Sequence, residues 1–409
     1  MTAGVALLLW LAGSVAAVSA DDVSATLDRL GDADLVLMND PAGARPVRVL
    51  VATKVAASAD RLRKVLADST SYRKAMPAFR RTDVISKKVE SSGLADVEVK
   101  WELEAPAWNL SGKLWLHSGP SAVLLELTEG DLAPGLFRLR AIPARVTPEE
   151  GDKAHPIEHS ILIIDGYANL HDANWAMRKL ANRSTLVEPV MTVCAAYVML
   201  KALQGLAEKG TYTRPSGVMT ATQVSQLDGA TTGRAANALE QRPSVFAAVR
   251  RRPDGRLSRV EVALSVAAAP EEASGKSLYP ASFREIPGWK KITPICGYPD
   301  ECEDAKATCW AVEANLPFFS ICGTWKIWPE PWRARMVAGD CLGAVLGLDF
   351  LPAPSKGRTT VVMSQHQRIE QAGFLPRKLI EAEPFLEHGL TLALTVVEAL
   401  SLVPALEKM

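Results

Sequence analysis

The chain of 409 residues has no excess of either charge: 46 Lys and Arg stand against 46 Asp and Glu. A protein that grips nucleic acid with a broad basic face needs such an excess, so that class is set aside. No Cys-x-x-Cys occurs, which argues against a zinc knuckle or a thioredoxin-type centre. No Gly-x-Ser-x-Gly elbow and no glycine-rich phosphate loop after a strand occur either. Past the first twenty residues, no segment reads as long and apolar enough to span a bilayer.

Almost half the chain, 48%, is apolar, so 409 residues are enough for two domains with sizeable cores. Gly4 to Val18 is an unbroken apolar and small-residue run, followed by Ser19, Ala20 and the acidic pair Asp21 and Asp22. Small residues at Val18 and Ala20 before that pair fit a secretory cleavage site, although no Lys or Arg precedes the run. Residues 1–20 are therefore expected to be a signal peptide, and the protein to be exported to a periplasm or beyond. A buried first helix is the alternative. Five of six cysteines lie in the second half. In an oxidising compartment two bridges are expected, Cys322 with Cys341 first, and Cys296 with Cys302 or Cys309 second.

One stretch is used twice. Residues 101–116 and 310–327 each read as two strands around a turn, with Trp and Glu-Ala before it and Gly then Trp after it. Trp101 aligns with Trp310, Glu104 with Glu313, Gly112 with Gly323, and Trp115 with Trp325 to within one position. Arg48, Val49, Val51 and Val55 return as Arg259, Val260, Val262 and Val266. Arg178 returns as Arg377, and an apolar helix over 185–209 returns over 384–408. Matching blocks in the same order mean an internal duplication. Each copy predicts a strand, two short helices, a run of antiparallel strands and a long terminal helix, an α+β pattern. The expected boundaries are 45–209 for the first domain, 210–245 for a linker and 246–409 for the second domain. Residues 21–45 read as a short helix and a polar turn, and 235–247 as a lead-in helix.

The signature Val65-Leu66-Ala67-Asp68, with Tyr72 and Pro77, resembles the START-like superfamily, in its polyketide-cyclase and coenzyme-Q-binding branch. In the second half Tyr279 or Phe283 and Pro287 remain, and the aspartate has no clear match. The resemblance implies two tandem helix-grip domains, each a curved antiparallel sheet around a long C-terminal helix. It also implies an apolar cavity between sheet and helix for a lipid, sterol, quinone or polyketide-like ligand. The cavity residues expected from this arrangement are Trp101, Leu103, Trp115, Leu125, Phe137, Leu162, Met191, Cys194 and Val198 in the first copy. In the second they are Trp310, Val312, Trp325, Leu390, Leu394 and Val397.

Polar candidates are few. Glu104 and Glu313, and Arg178 and Arg377, read either as contacts to a polar headgroup or as internal ion pairs, the arginines with Glu188 and Glu387. His155, Glu158, His159, Asp165, His171 and Asp172 cluster in sequence, but alternation along a strand scatters them, so no metal is expected. His366 and His388 read as surface or edge residues, and Arg250 to Arg252 as a solvated turn. Trp328 and Trp332 flank Pro-Glu-Pro. They form either a packed turn or an exposed pair that touches a membrane or a partner. No cofactor is expected. The reading is an exported carrier for a hydrophobic ligand. The alternatives are a cyclase- or hydrolase-like enzyme in one domain, or a scaffold acting through surface contacts.

Overall fold

A computed structural model describes residues 18–39, 46–68, 70, 72, 79–89, 95–103, 109–144, 159–183, 187–215, 220, 222–239, 244–277, 283, 289–295, 307–315 and 320–408. The first described element is helix α1 (Ala20–Leu30). Ser19 caps it, its Oγ accepting from the Asp22 N–H at 3.1 Å, and Val23, Leu27 and Leu30 are buried on one face. A strand that sequence reading missed follows, β1 (Asp34–Met38), buried along its whole length. Then come β2 (Val49–Val55), helix α2 (Ala59–Ala67), and six antiparallel strands: β3 (Phe79–Val89), β4 (Ala95–Leu103), β5 (Leu110–Ser118), β6 (Val123–Gly130), β7 (Gly135–Pro143) and β8 (Ser160–Ala168). Helix α3 (Trp175–Arg183) leads into the long helix α4 (Val187–Lys209).

The series then repeats element for element: α5 (Ala230–Asn237), β9 (Val245–Arg251), β10 (Leu257–Val266), α6 (Pro270–Ser277), β11 (Trp289–Ile295), β12 (Thr308–Asn315), β13 (Ser320–Pro329), β14 (Trp332–Gly339), β15 (Val345–Pro352), β16 (Thr359–His366), α7 (Phe374–Ala382) and α8 (Phe385–Lys408). The stretch 210–245 is therefore more than a connection, because it carries α5, the counterpart of α1. The lead-in helix expected over 235–247 gives way to strand from Val245, where Val245, Phe246 and Val249 bury themselves in the sheet. Arg250 and Arg251 belong to that strand, and Arg250 pairs with the buried Glu261 at 2.8 Å instead of forming a solvated turn.

The chain divides into two compact units. The first contains the described residues up to Thr213 together with Leu239–Val245, the second Arg214–Ala238 and everything from Phe246. Strand order in the first is β1-β2-β8-β7-β6-β5-β4-β3, and in the second β9-β10-β16-β15-β14-β13-β12-β11. The order is the same in both, and all these pairs are antiparallel. In each unit the long helix packs on the second and third strands of that order, α4 on β2 and β8, and α8 on β10 and β16. Each unit thus has the α+β helix-grip arrangement expected from the START-like resemblance.

The signature residues of the first unit act as a helix stop. Asp68 ends α2 and accepts from the Thr70 N–H at 3.0 Å, while the buried Tyr72 hydroxyl donates to the Leu66 carbonyl at 3.0 Å. In the second unit Phe283 stacks on Trp332 at 5.4 Å and meets Trp310 edge-on.

The register of the hairpins corrects the residue-by-residue alignment. Trp101 pairs with Gly112, but Gly323 pairs with Val312, two residues beyond Trp310. Gly112 faces Gly130 and Gly323 faces Gly339, and each pair sits beside a register shift, at Lys113/Leu114 and Thr324/Trp325. Gly130 and Gly339 have φ of 107° and 117°, and a Cβ on either would lie 2.1 Å from a carbonyl oxygen across the strand pair. Only glycine fits there. The next residue does the same work in both copies, Asp131 accepting from the Ser111 N–H at 2.6 Å and Asp340 from the Cys322 N–H at 2.7 Å.

Contrary to the sequence expectation, two helices are long and apolar enough to cross a membrane: Val187–Lys209 and Phe385–Glu407, with mean hydropathy 1.5 and 1.8. Their most apolar windows are 78% and 67% buried inside the protein, which is what a core helix between sheet and solvent requires.

Candidate functional site

The interior of the first unit lies between α4 and one face of its sheet. Register carries that face from Thr53 to Leu162 to Ala141, and from Val51 to Ile164 to Leu139. A third row runs from Gly166 through Phe137, Leu125 and Leu116 to Val97. Asp34, opposite Thr53, places this face under α4, because its carboxylate is bonded by two α4 side chains.

Packing across the interior is uneven. On α4, Val193, Ala196, Tyr197 and Leu200 have no exposed surface, and neither do Leu139, Leu162 and Ile164 on the sheet. Cys194 and Val198 on the helix, and Leu114, Leu125 and Leu127 on β5 and β6, each keep 6–8%. Met191, one turn ahead of Cys194 on the same stripe, is half-buried. Burial is thus complete over β2 and β8 and slightly less complete toward β5 and β6. Burial pushes the Cys194 thiol up to about 12, leaving it a small apolar lining group.

A buried ion pair lies on the fully buried side. Asp34 accepts from the Thr53 hydroxyl at 2.5 Å, the Tyr197 hydroxyl at 2.6 Å and the Lys201 ammonium at 3.1 and 3.2 Å. Four side chains from three elements, Asp34 among them, satisfy both charges away from water.

The second unit distributes polarity differently. Register and helix periodicity put Val245, Leu264, Val396 and Leu400 at the places of Asp34, Thr53, Tyr197 and Lys201. Its own polar groups lie on α8 and β16. His388, Thr391, Thr395 and Glu398 form a buried stripe at helical spacing. Glu398 accepts from Gln365 at 2.8 Å and from Gln367 at 3.2 Å, and Gln367 also donates to Gln365. Met199, Gly166 and Ala168 occupy those three places in the first unit. Next to this network a cavity of about 10 Å³ is lined by Leu264, Val361, Met363, Ala399, Leu402 and Leu406, room for one water-sized sphere.

His366 and His388 are buried, not on the surface as sequence reading had them. His366 contacts the Thr222 hydroxyl at 2.9 Å and the Glu387 carboxylate at 3.3 Å, and Arg256 reaches Glu387 at 3.7 Å. Burial alone would raise the Glu387 carboxyl. The His366 hydrogen bond, with His388 and Arg256 nearby, outweighs it and holds the group below its ordinary 4.5. The matching Glu188 takes the backbone N–H groups of Val47 at 3.3 Å and Leu170 at 3.2 Å.

Of the expected lining residues, Trp101, Leu125, Phe137, Leu162, Cys194 and Val198 face the first interior with Met191. Trp310, Val312, Trp325 and Val397 are buried in the second, and Leu390 and Leu394 are half-buried on α8. The Leu103 side chain and Glu104 fall outside the described residues, as do His155 and Glu158. Trp115 is a correction. Leu114 and Leu116 point inward, so Trp115 points out, stacked on His117 with centroids 6.0 Å apart. Trp325 corresponds to Leu114, and the one-residue slip between the two tryptophans reverses the face. Glu313 corresponds to Glu102 and not to Glu104. It alternates with the buried Val312 and so lies on the outer face.

Arg178 and Arg377 do not pair with Glu188 and Glu387. Each is exposed and donates to a backbone carbonyl, of Ala173 at 3.2 Å and of Glu370 at 3.4 Å. Cys322 and Cys341 are free thiols. Asp340 lies across from Cys322, so Cys341 turns to the opposite side. It is buried there, with its pKa raised to about 12 by burial and by Glu370 and Asp340. The second expected pairing, Cys296 with Cys302 or Cys309, rests on Cys296, which lies outside the described residues. Trp332 is buried, its Nε1 donating to the Ser277 carbonyl at 3.1 Å, and Lys326 lies over the Trp328 ring. The Pro-Glu-Pro turn is therefore packed at Trp332. No group of three metal-ligating side chains gathers among the described residues.

Sequence reading missed Asp34, Lys201, Glu398, Gln365 and Gln367. Lys201 and Glu398 each interrupt an apolar helix, and a charge in that setting calls for a buried partner. That signal was available, but the partners were not.

No family model matches the chain, and no curated protein matches it. Solved structures do. The Zhui aromatase/cyclase of Streptomyces sp. R1128 is 18% identical with a TM-score of 0.31, covering 39% of this chain and 92% of that one. A START superfamily protein of Mycobacterium smegmatis is 17% identical with a TM-score of 0.28, covering 40% and 99%. The di-domain aromatase/cyclase StfQ of the steffimycin biosynthetic pathway is 9% identical with a TM-score of 0.26, covering 88% of this chain and 96% of that one.

Proposed function

We propose that this protein binds a hydrophobic small molecule or lipid between the terminal helix and the sheet, in the first unit above all. The observation that carries the reading is uneven burial: Cys194 and Val198 on α4 and Leu114, Leu125 and Leu127 on the sheet are apolar and each keep 6–8% of their surface, while the residues over β2 and β8 keep none. Apolar walls favour an apolar occupant over water. The second unit places the buried Glu398, Gln365 and Gln367 where the first has Met199, Gly166 and Ala168, so a wholly apolar ligand is better accommodated in the first. Export by residues 1–20 belongs to the same proposal, and N-terminal sequencing of the mature protein from cell fractions tests it.

The direct experiment is native mass spectrometry of the full chain, with organic extraction and titration by an environment-sensitive apolar dye. Val198→Trp fills the less fully buried side and is expected to abolish one dye site per chain, whereas Val397→Trp in the second unit leaves it. A dye isotherm indifferent to Val198→Trp, in a protein whose circular dichroism is intact, overturns the assignment.

A further inference from the structure

Two aromatic residues of this chain stand in water, and they stand at the same place in each copy. Trp175 is 72% exposed and Phe374 is 76% exposed, and they are the only aromatics among the exposed large hydrophobic residues described. Each is the first residue of the short helix before the long one, α3 and α7. The spacing between them equals that between Glu188 and Glu387. An exposed aromatic at one site needs no explanation, but the same exposure at both duplicated sites does.

Basic side chains predominate at both helix starts, although Asp131 accepts from Asn174, next to Trp175. Arg178 and Lys179 follow Trp175 by about one turn, and Arg377 and Lys378 follow Phe374 in the same way, all four exposed. Helix α3 contains no Asp or Glu, and in α7 the one acid, Glu381, is held by Lys378 at 2.6 Å. Asp172, ahead of α3, is held by Asn169 at 2.7 Å. The Lys179 ammonium lies 4.9 Å from the centre of the Trp175 ring, so ring and cation present a single amphipathic surface. Arg178 donates through Nη2 and Arg377 through Nε, each to one backbone carbonyl, and both side chains stay exposed.

We propose that these two helix starts dock on the surface of an anionic lipid bilayer, the aromatic entering the headgroup boundary and the Arg-Lys pair meeting lipid phosphates. Aromatic rings with a polar or charged edge settle at that boundary, and basic residues add attraction to anionic lipid. This surface is separate from the Trp328 turn and does not depend on what occupies either interior.

The test is co-sedimentation of the full chain with vesicles of phosphatidylcholine containing about a quarter phosphatidylglycerol, against vesicles of phosphatidylcholine alone. Binding is expected to the anionic vesicles only and to fall away in about 0.5 M salt. Trp175→Ala with Phe374→Ala is expected to weaken it about tenfold or more, and each basic residue removed from the two pairs about fivefold. Val89→Ser, an exposed apolar residue on the first sheet, is expected to leave it unchanged. Failure of the wild-type chain to sediment, or unchanged binding by the double variant, overturns the proposal. So does a solution dimer that the double variant dissociates without any vesicle binding, which would assign the patch to a second copy of this chain.

Discussion

Gly130 shows how much one backbone position decides. Its φ of 107° and the carbonyl 2.1 Å from where a Cβ would sit make Gly130→Ala expensive, about 3 kcal/mol. Gly31, also at positive φ but with open space around it, should cost only about 1 kcal/mol on the same change. Thermal denaturation of the two variants reads the difference directly. Glu387 decides acid sensitivity. A carboxylate held below its unfolded pKa contributes stability above that value and loses it as pH falls through the folded one. Glu387→Gln is therefore expected to cost about 3 kcal/mol near neutrality, where the ionised carboxylate holds its contacts with Arg256 and His366. That gap should begin to narrow near 4.5, the group's ordinary value, and close below it. Urea midpoints for both proteins across that range measure it, and a gap that persists in acid would place the contribution elsewhere. Both residues carried a sequence signal, since a Gly-Asp pair ends β6 and β14 and Glu188 and Glu387 match. Their partners came from elements far away in the chain, and those were not legible.

At the scale of elements, α4 has a fully buried side and a less fully buried side. Ala196 has no exposed surface and sits on the fully buried side, so Ala196→Leu must displace packed neighbours and is expected to cost about 2 kcal/mol. Cys194→Leu, on the less fully buried side, should be close to neutral, and equilibrium unfolding distinguishes the two. The strands were legible because alternation and β-branched residues mark them, and most observed ends fall within a few residues of expectation. Which way each residue faces was less so. Trp115 and Trp325 sit within one position of each other in an alignment, yet one faces solvent and the other the core. A bulge beside Gly112 and Gly323 sets the phase, and a phase is invisible until the strands are paired. Strand β1 was missed because a five-residue run without alternation does not distinguish a fully buried strand from its surroundings.

Across the whole molecule, two copies of one plan have diverged inside. The first keeps Asp34 and Lys201 beneath its helix; the second keeps Glu398, Gln365 and Gln367. Each network should behave as a unit. Glu398→Met alone takes the carboxylate acceptor from the Gln365 amide and one of two acceptors from Gln367, and is expected to cost about 2 kcal/mol. Adding Gln365→Gly and Gln367→Ala, which installs the first unit's residues at all three places, is expected to recover part of that loss, because neither amide is then left without its acceptor. Urea denaturation of the single and triple variants checks it, and a triple variant no more stable than the single one would show that the network's packing matters more than its hydrogen bonds.

The sequence by itself determined most element types, the duplication and the two long apolar helices, because periodicity and repeated residues are local properties of a chain. Only the tertiary structure decided which side chains share an interior, that His366 and His388 are buried, and that Cys322 and Cys341 stay apart. Those outcomes depend on strand register and on contacts between residues distant in sequence, where moving a strand by one residue exchanges the inside of a sheet for its outside.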